Sequence, residues 1–322
     1  MLSRHRSSLL LIARLALLTF SLLLLIAGHL WAQDESPRDK MGFIDILMLP
    51  RIWVGVIFGL MGVTALMKVK SVLTIRNLAL PVIFFVFGVL YVLPLGEFAK
   101  GMGMHPSPVC AMTKPFGFVN SGKGIPIVFS AILFSVAVMS LLGNKSFCGW
   151  VCPIGAIQEF VHLAPVPKRF KFKLPFKITN TLRAVFFAAF IALTFIVGKD
   201  IYNYVNPFHA LHWTFPVLEM VIFGITIIVA LFIFRPFCYL LCPMGLFTWL
   251  LEQVSLTRIE VDPDKCTTCY ECSDKAPCPA MGPIVDGHKW RPDCHACGRC
   301  LNTCGENAIS FTTNRFFKKQ QG

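Results

Sequence analysis

Charge is scarce in this chain. Asp, Glu, Lys and Arg make up 15% of its 322 residues, and only 17 of them are acidic. With 55% hydrophobic residues and a mean hydropathy of +0.66, this composition excludes an ordinary soluble globular domain, where charged residues reach about a quarter. The chain reads as an integral membrane protein. No C-x-x-C-H run occurs, so any c-type haem belongs to a partner. Neither G-x-G-x-x-G nor the P-loop pattern is present, which weighs against a self-contained NADH-oxidising enzyme. The net charge of +13 is therefore read by where Lys and Arg lie, not as a sign of nucleic acid.

Cysteine, by contrast, is plentiful and ordered. Cys266, Cys269, Cys272 and Cys278 are followed by Cys294, Cys297, Cys300 and Cys304. Two C-x2-C-x2-C runs, each with a fourth cysteine, form the ligand pattern of a two-cluster bacterial ferredoxin, in which the fourth cysteine of one run ligates the other cluster. One [4Fe-4S] cluster is thus expected on Cys266, Cys269, Cys272 and Cys304, and a second on Cys294, Cys297, Cys300 and Cys278. Zinc suits a C-x2-C pair, but eight cysteines in this order favour iron and sulfide. Two departures stand out: five residues separate Cys272 from Cys278, and Gly305 follows Cys304 where proline is common. The first widens the loop near the second cluster, and the second leaves the first cluster more open. Lys265, Lys275, Lys289, Arg291 and Arg299 can offset cluster charge or steer an acidic partner. Apolar pieces such as LTRIEV and AISFTT suit a small α+β unit over 256–322.

The preceding 1–255 form an expected membrane helical bundle. Apolar stretches at 15–31, 52–67, 80–96, 125–142, 182–198 and 216–234 give about six transmembrane helices. Arg4, Arg6 and Arg14, then Lys68, Lys70 and Arg76, then Lys145, Lys168, Arg169, Lys171, Lys173 and Lys177 lie in alternate connections. Basic residues favour the cytoplasmic side, which places both termini and the ferredoxin unit there, with thiolates kept reduced. The first stretch also resembles a signal peptide with a cut after Ala32. Leu30 fits that cleavage pattern poorly, so retention is the expectation.

Four more cysteines form a repeat. FCGWVCPIG carries Cys148 and Cys152, and FCYLLCPMG carries Cys238 and Cys242, 90 residues later. An i, i+4 pair lies on one helical face, so each pair can address a common site. Pro153 and Pro243 suit the first position of a new helix and predict a break before a short amphipathic one. Two pairs supply the four thiolates of a third iron-sulfur cluster. The other readings are small buried residues that pack helices, or thiols that shuttle through disulfides.

The repeat extends to the opposite side, where Cys110 and His209 each stand two residues after a proline, Pro108 and Pro207. They can bind a metal or haem, border a quinone pocket, or sit in an ordinary interfacial loop. Met102, Met104, His105 and Met112 add soft-metal character. Glu219, near the start of the last span, is an ionisable group in a membrane helix and a candidate proton acceptor from quinol, with His209 and His212 beside it. The helix dipole offers another reason for a glutamate there.

Over about 105–322 the chain resembles the membrane-bound polyferredoxin family of NapH, NosR and CcoG type. The resemblance rests on FCGWVCP, YNYVNP, RPFCYLLCPMG and CGRCLNTCGENAISFTT. It is nearest the NapH type, since no large flavin-binding domain like that of NosR is present, although two N-terminal spans are added to the four-span NapH plan. The resemblance implies an electron-transfer subunit of a quinol dehydrogenase or oxidoreductase complex in the bacterial inner membrane, exchanging electrons between the quinone pool and redox partner subunits. The alternative is a metal reductase or maturation factor of CcoG type, with Cys110 and the methionines holding the ion.

Overall fold

The structure is a computed structural model that describes residues 42–68, 72–103, 106–213, 216–288 and 290–313. The first expected span and the signal-peptide question lie outside the described residues, as do Met104, His105 and Lys289. The other five apolar stretches are helical: α1 (Pro50–Lys68), α2 (Val72–Phe84), α4 (Ile127–Gly143), α7 (Phe176–Val197) and α8 (Val217–Phe232). A further helix, α3 (Pro108–Asn120), packs along α4. Among the described residues, three helices are long and apolar enough to cross a membrane: Pro50–Met67, Val72–Val92 and Phe176–Val197. Large side chains such as Ile196 (82% exposed) and Leu78 (68%) remain uncovered on them, which lipid tolerates and water does not.

The remaining apolar helices, α4 and α8, are shorter, with 17 and 16 residues, because each ends in a sharp turn. Asn144 (φ 49°) and Lys145 (φ 63°) close α4, and Arg235 (φ 50°) lies beyond α8, all in the left-handed region. Each turn leads into a five-residue helix, α5 (Ser146–Trp150) or α9 (Pro236–Leu240). A break follows, then a ten-residue helix, α6 (Pro153–His162) or α10 (Pro243–Glu252). The expected proline break is present in both, with Cys152 and Cys242 as the N-caps.

The expected boundaries shift in two places. The stretch assigned to 80–96 begins as a helix at Val72 and ends as a π-turn over Phe85–Val89 and a 3-10 turn over Leu90–Val92. Arg76 is therefore within α2, not in a connection, and it is fully buried. Lys145, counted among the charges of a connection, is buried too. Carboxylates inside the protein make the burial of both tolerable. The segment after α7 also departs from a simple interfacial loop. It turns back toward the cysteine hairpins, and the Tyr202 hydroxyl donates to the Leu241 carbonyl at 2.9 Å. Trp213 Nε1 donates to the Gly88 carbonyl of the π-turn at 2.8 Å.

The C-terminal unit closes with β1 (Thr257–Val261) antiparallel to β2 (Ile309–Thr313), pairing Ile259 with Phe311. Their buried side chains join Ala65, Leu66, Val72 and Trp150 from the helical part in one apolar cluster with Cys272 and Cys300. The unit thus shares its core with the bundle. Contact is closest at Gly149, where an added Cβ would lie 2.3 Å from the His295 carbonyl oxygen. Trp150 Nε1 donates to Ala296 O at 2.9 Å beside it.

Gly149→Ala is therefore expected to destabilise the docked unit by about 1–3 kcal/mol, the usual cost of overpacking. Protease sensitivity of the 257–313 segment in detergent checks this. Gly224→Ala, where a Cβ meets nothing within 4 Å, should leave it unchanged.

Candidate iron-sulfur sites

Twelve cysteines gather in three sets of four. The first set is built by the two hairpins. Cys148 and Cys238 lie in α5 and α9, Cys152 and Cys242 cap α6 and α10, and the sulfurs sit within electrostatic reach of one another. The hairpins interlock crosswise. Gln158 of α6 donates to Cys238 Sγ at 3.6 Å, while Thr248 of α10, at the equivalent position, lies 3.6 Å from Cys148 Sγ. Arg235 Nη1 donates to the Cys148 carbonyl at 2.8 Å, and Arg183 Nη1 to the Cys238 carbonyl at 3.0 Å. The motif glycines make room for these guanidiniums: a Cβ on Gly155 would lie 3.1 Å from Arg235 Nη1, and one on Gly245 2.7 Å from Arg183 Nη1.

Two buried carboxylates hold the cations. Glu159 pairs with Arg76 at 3.0 Å, Arg235 at 2.5 Å and Arg299 at 2.8 Å. Burial disfavours its charge, but Arg76, Arg235 and Arg299 outweigh that and hold the carboxyl well below the usual range. Asp293 pairs with Lys145 and, at 2.7 Å, with Arg183. Its burial is likewise outweighed by these two cations.

The second set joins Cys294, Cys297, Cys300 and Cys278, mutually close and set in the docked face of the C-terminal unit. Tyr239, next to Cys238 in sequence, packs with Cys297 and Cys278 and donates its hydroxyl to Asp293 O at 3.0 Å. His295 Nδ1 lies 3.2 Å from that hydroxyl. Glu252 accepts from the Cys294 amide at 3.0 Å, and burial pushes its carboxyl up to about 8.

The third set is open. Cys266, Cys269, Cys272 and Cys304 line one cavity of about 270 Å³, together with Tyr270, Glu271, Gly305 and Glu306. Cys269 is exposed, whereas Cys297 and Cys300 of the second set are buried.

The donor sets fit iron-sulfur clusters better than single ions. Among the described residues no three Cys, His, Asp or Glu side chains converge on one metal ion. Four thiols within electrostatic reach of one another, or lining one cavity, match the donor number of an iron-sulfur cluster. Burial raises the unligated thiols, Cys238 to about 11 and Cys278 to about 12, so they hold protons until a metal centre displaces them.

The expected counter-charges are placed differently. Arg299 pairs with Glu159 inside the protein, Lys265 with Asp262 and Lys275 with Glu271 at the surface, and Arg291 donates to Ile259 O. Sequence reasoning missed Glu159, Asp293, Arg183, Arg235, Gln158 and Thr248. A signal was present: the repeat extends upstream, with Lys145 and Arg235 each three residues before the first cysteine.

At the far end, Glu219 Oε1 lies 3.5 Å from His209 Nδ1, and the His209 and His212 rings stack at 5.6 Å. Burial lowers His209, opposed by Glu219. Cys110 Sγ instead meets Asn206 Nδ2 at 3.9 Å. Met102 is buried in the apolar core.

Comparison with known proteins bears on these sites. A family profile described as a 4Fe-4S binding domain matches residues 125–176 and 215–260. Ferredoxin-type protein NapH of Haemophilus influenzae is 28% identical over 210 residues, 60% of this chain and 71% of that protein. NapH of Escherichia coli is 27% identical over 197 residues, 57% of this chain and 67% of that protein. The regulatory protein NosR of Stutzerimonas stutzeri is 25% identical over 204 residues, 55% of this chain but 26% of its own length. The chain is similar to the NapH- and NosR-type polyferredoxins. No solved structure matches.

Within this NapH/NosR relationship the two matched segments are informative, because each contains one hairpin and neither reaches the eight-cysteine tail. The 4Fe-4S description thus falls on the halves that carry Cys148, Cys152, Cys238 and Cys242. The similarity and the fold together support an iron-sulfur electron-transfer protein with apolar helices suited to a membrane.

The difference in exposure predicts a sequence of iron loss. Chelator challenge of the purified protein is expected to empty the open Cys266, Cys269, Cys272 and Cys304 site first. Cys266→Ala should abolish only that fast phase, as followed by absorbance of the released iron complex. Loss of all iron at one rate would contradict it.

Proposed function

We propose that the chain is the membrane subunit of a quinol-linked oxidoreductase, with three [4Fe-4S] clusters on its three four-cysteine sets. The observation that supports this best is the direct contact between the hairpin set and the second set, through Gly149 against His295 and through Tyr239. When bound, the clusters supply one-electron carriers. The protein's part is to keep them close and dry: Tyr239 and Trp150 fill the space between sets, and the shared apolar core excludes water. The open third set is the natural exchange point with a redox partner subunit.

In this reading quinol meets the far end of the bundle, where Glu219 and His209 accept its protons at their facing Oε1 and Nδ1 atoms, with His212 alongside. The tail faces the cytoplasm, and the bundle occupies the bacterial inner membrane with about six spans. NapH relatives are named ferredoxin-type proteins, which agrees with the electron-transfer role and leaves the quinone step to be tested. The metal-reductase reading loses a soft ligand, since Met102 is enclosed in the core.

Anaerobically purified protein is expected to contain about twelve irons per chain, four for each cluster, and Cys152→Ser should lose about four of them. Menaquinol or ubiquinol analogues should reduce the clusters. Glu219→Gln or His209→Ala should slow that step by about 10²-fold or more, the typical worth of a positioned acid or base. Clusters indifferent to quinol would refute the quinone role.

A further inference from the structure

The cations around the hairpin set outnumber their counter-ions. Arg76, Arg235 and Arg299 share Glu159, and Lys145 and Arg183 share Asp293. Even with Glu252 counted as ionised, five cations face three carboxylates, all buried. An uncompensated buried charge is costly. The excess is also poorly hydrogen-bonded, since Arg76 Nη1 and Arg183 Nε have no partner. Such a site is built to receive negative charge. Three of the cations act directly on the sulfurs: Lys145 on Cys148, Arg235 on Cys148 and Cys238, and Arg183 on Cys242. The open set differs, because acidic Glu271 and Glu306 line its cavity.

We propose that Arg183, Arg235 and Lys145 are positioning residues whose charge holds the anionic cluster of the hairpin set and raises its reduction potential. The inference rests on the third-cluster reading above. A cluster with four thiolates is already anionic, and reduction adds one electron to it. Fixed cations in a low-dielectric interior lower the cost of that added charge. Removing one must lower the midpoint potential; removing the carboxylate of Glu159 must raise it. The effect is greatest at the hairpin set and smaller at the second set, where Arg235 also faces Cys297. At the open set it vanishes.

Mediated redox titration followed by EPR, with iron and sulfide counted in each sample, tests this on the full chain. Arg235→Gln and Arg183→Gln should lower the hairpin midpoint and leave the open-set midpoint in place. Glu159→Gln should raise it, and Arg235→Lys should restore the wild-type value. Each arginine variant leaves its carboxylate another cation: Arg76 and Arg299 for Glu159, Lys145 for Asp293. If Arg235→Gln loses hairpin iron and Arg235→Lys regains it, charge is again the cause; loss in both means packing and overturns the role. Retained iron with an unmoved midpoint, or equal shifts at every cluster, also overturns it. A wild type with about eight irons and no hairpin signal would remove the third cluster itself, an outcome distinct from twelve irons with an indifferent midpoint.

Discussion

The crosswise clasp of the two hairpins is the contact on which the rest depends. Arg235, at the start of the second hairpin, reaches the Cys148 carbonyl of the first. Lys145, at the start of the first, reaches Gly245 of the second at 3.2 Å. Each uses a left-handed backbone turn to leave its span and enter the hairpin. Neither half can therefore form its cysteine pocket alone. The pocket exists only when α4 and α8 have brought both hairpins together, and the burial of Cys148, Cys238 and Cys242, with Cys152 half-buried, follows from that pairing.

Docking of the tail is equally tied to the clasp. A separate ferredoxin would need its own core, yet Ile259 and Phe311 find theirs partly among Leu66, Val72 and Trp150. The absence of a side chain at Gly149 lets the His295 backbone press against the first hairpin. There backbone meets backbone, a contact that varies less than one between long side chains.

Legibility in the sequence followed the chemistry. The cysteine sets were readable because a thiolate at a given spacing is a distinctive pattern, and cysteines grouped by that spacing lie within electrostatic reach of one another or line one cavity. Pro153 and Pro243 announced their breaks because a missing amide hydrogen has one structural meaning. The apolar runs announced helices but not their ends: α2 reaches back to Val72 through Arg76, since a charge paired inside the protein looks identical in sequence to one in water. Arg76 and Lys145 were assigned to connections for that reason. The inward fold of the segment around Tyr202 was hidden because its anchor is the Leu241 carbonyl, and every residue has a carbonyl.

The repeat breaks at one informative point. Glu159 in α6 corresponds to Trp249 in α10, 90 residues later, so the second half lacks the carboxylate that neutralises the first. Trp249 turns instead to the Arg291 carbonyl at 2.8 Å. The missing charge comes from the tail, whose Asp293 pairs with Lys145 and Arg183. In exchange the tail sends Arg299 to Glu159. Lys145 and Arg183 therefore depend on a residue next to Cys294, which ties the ion pairs of the hairpin site to the second cysteine set.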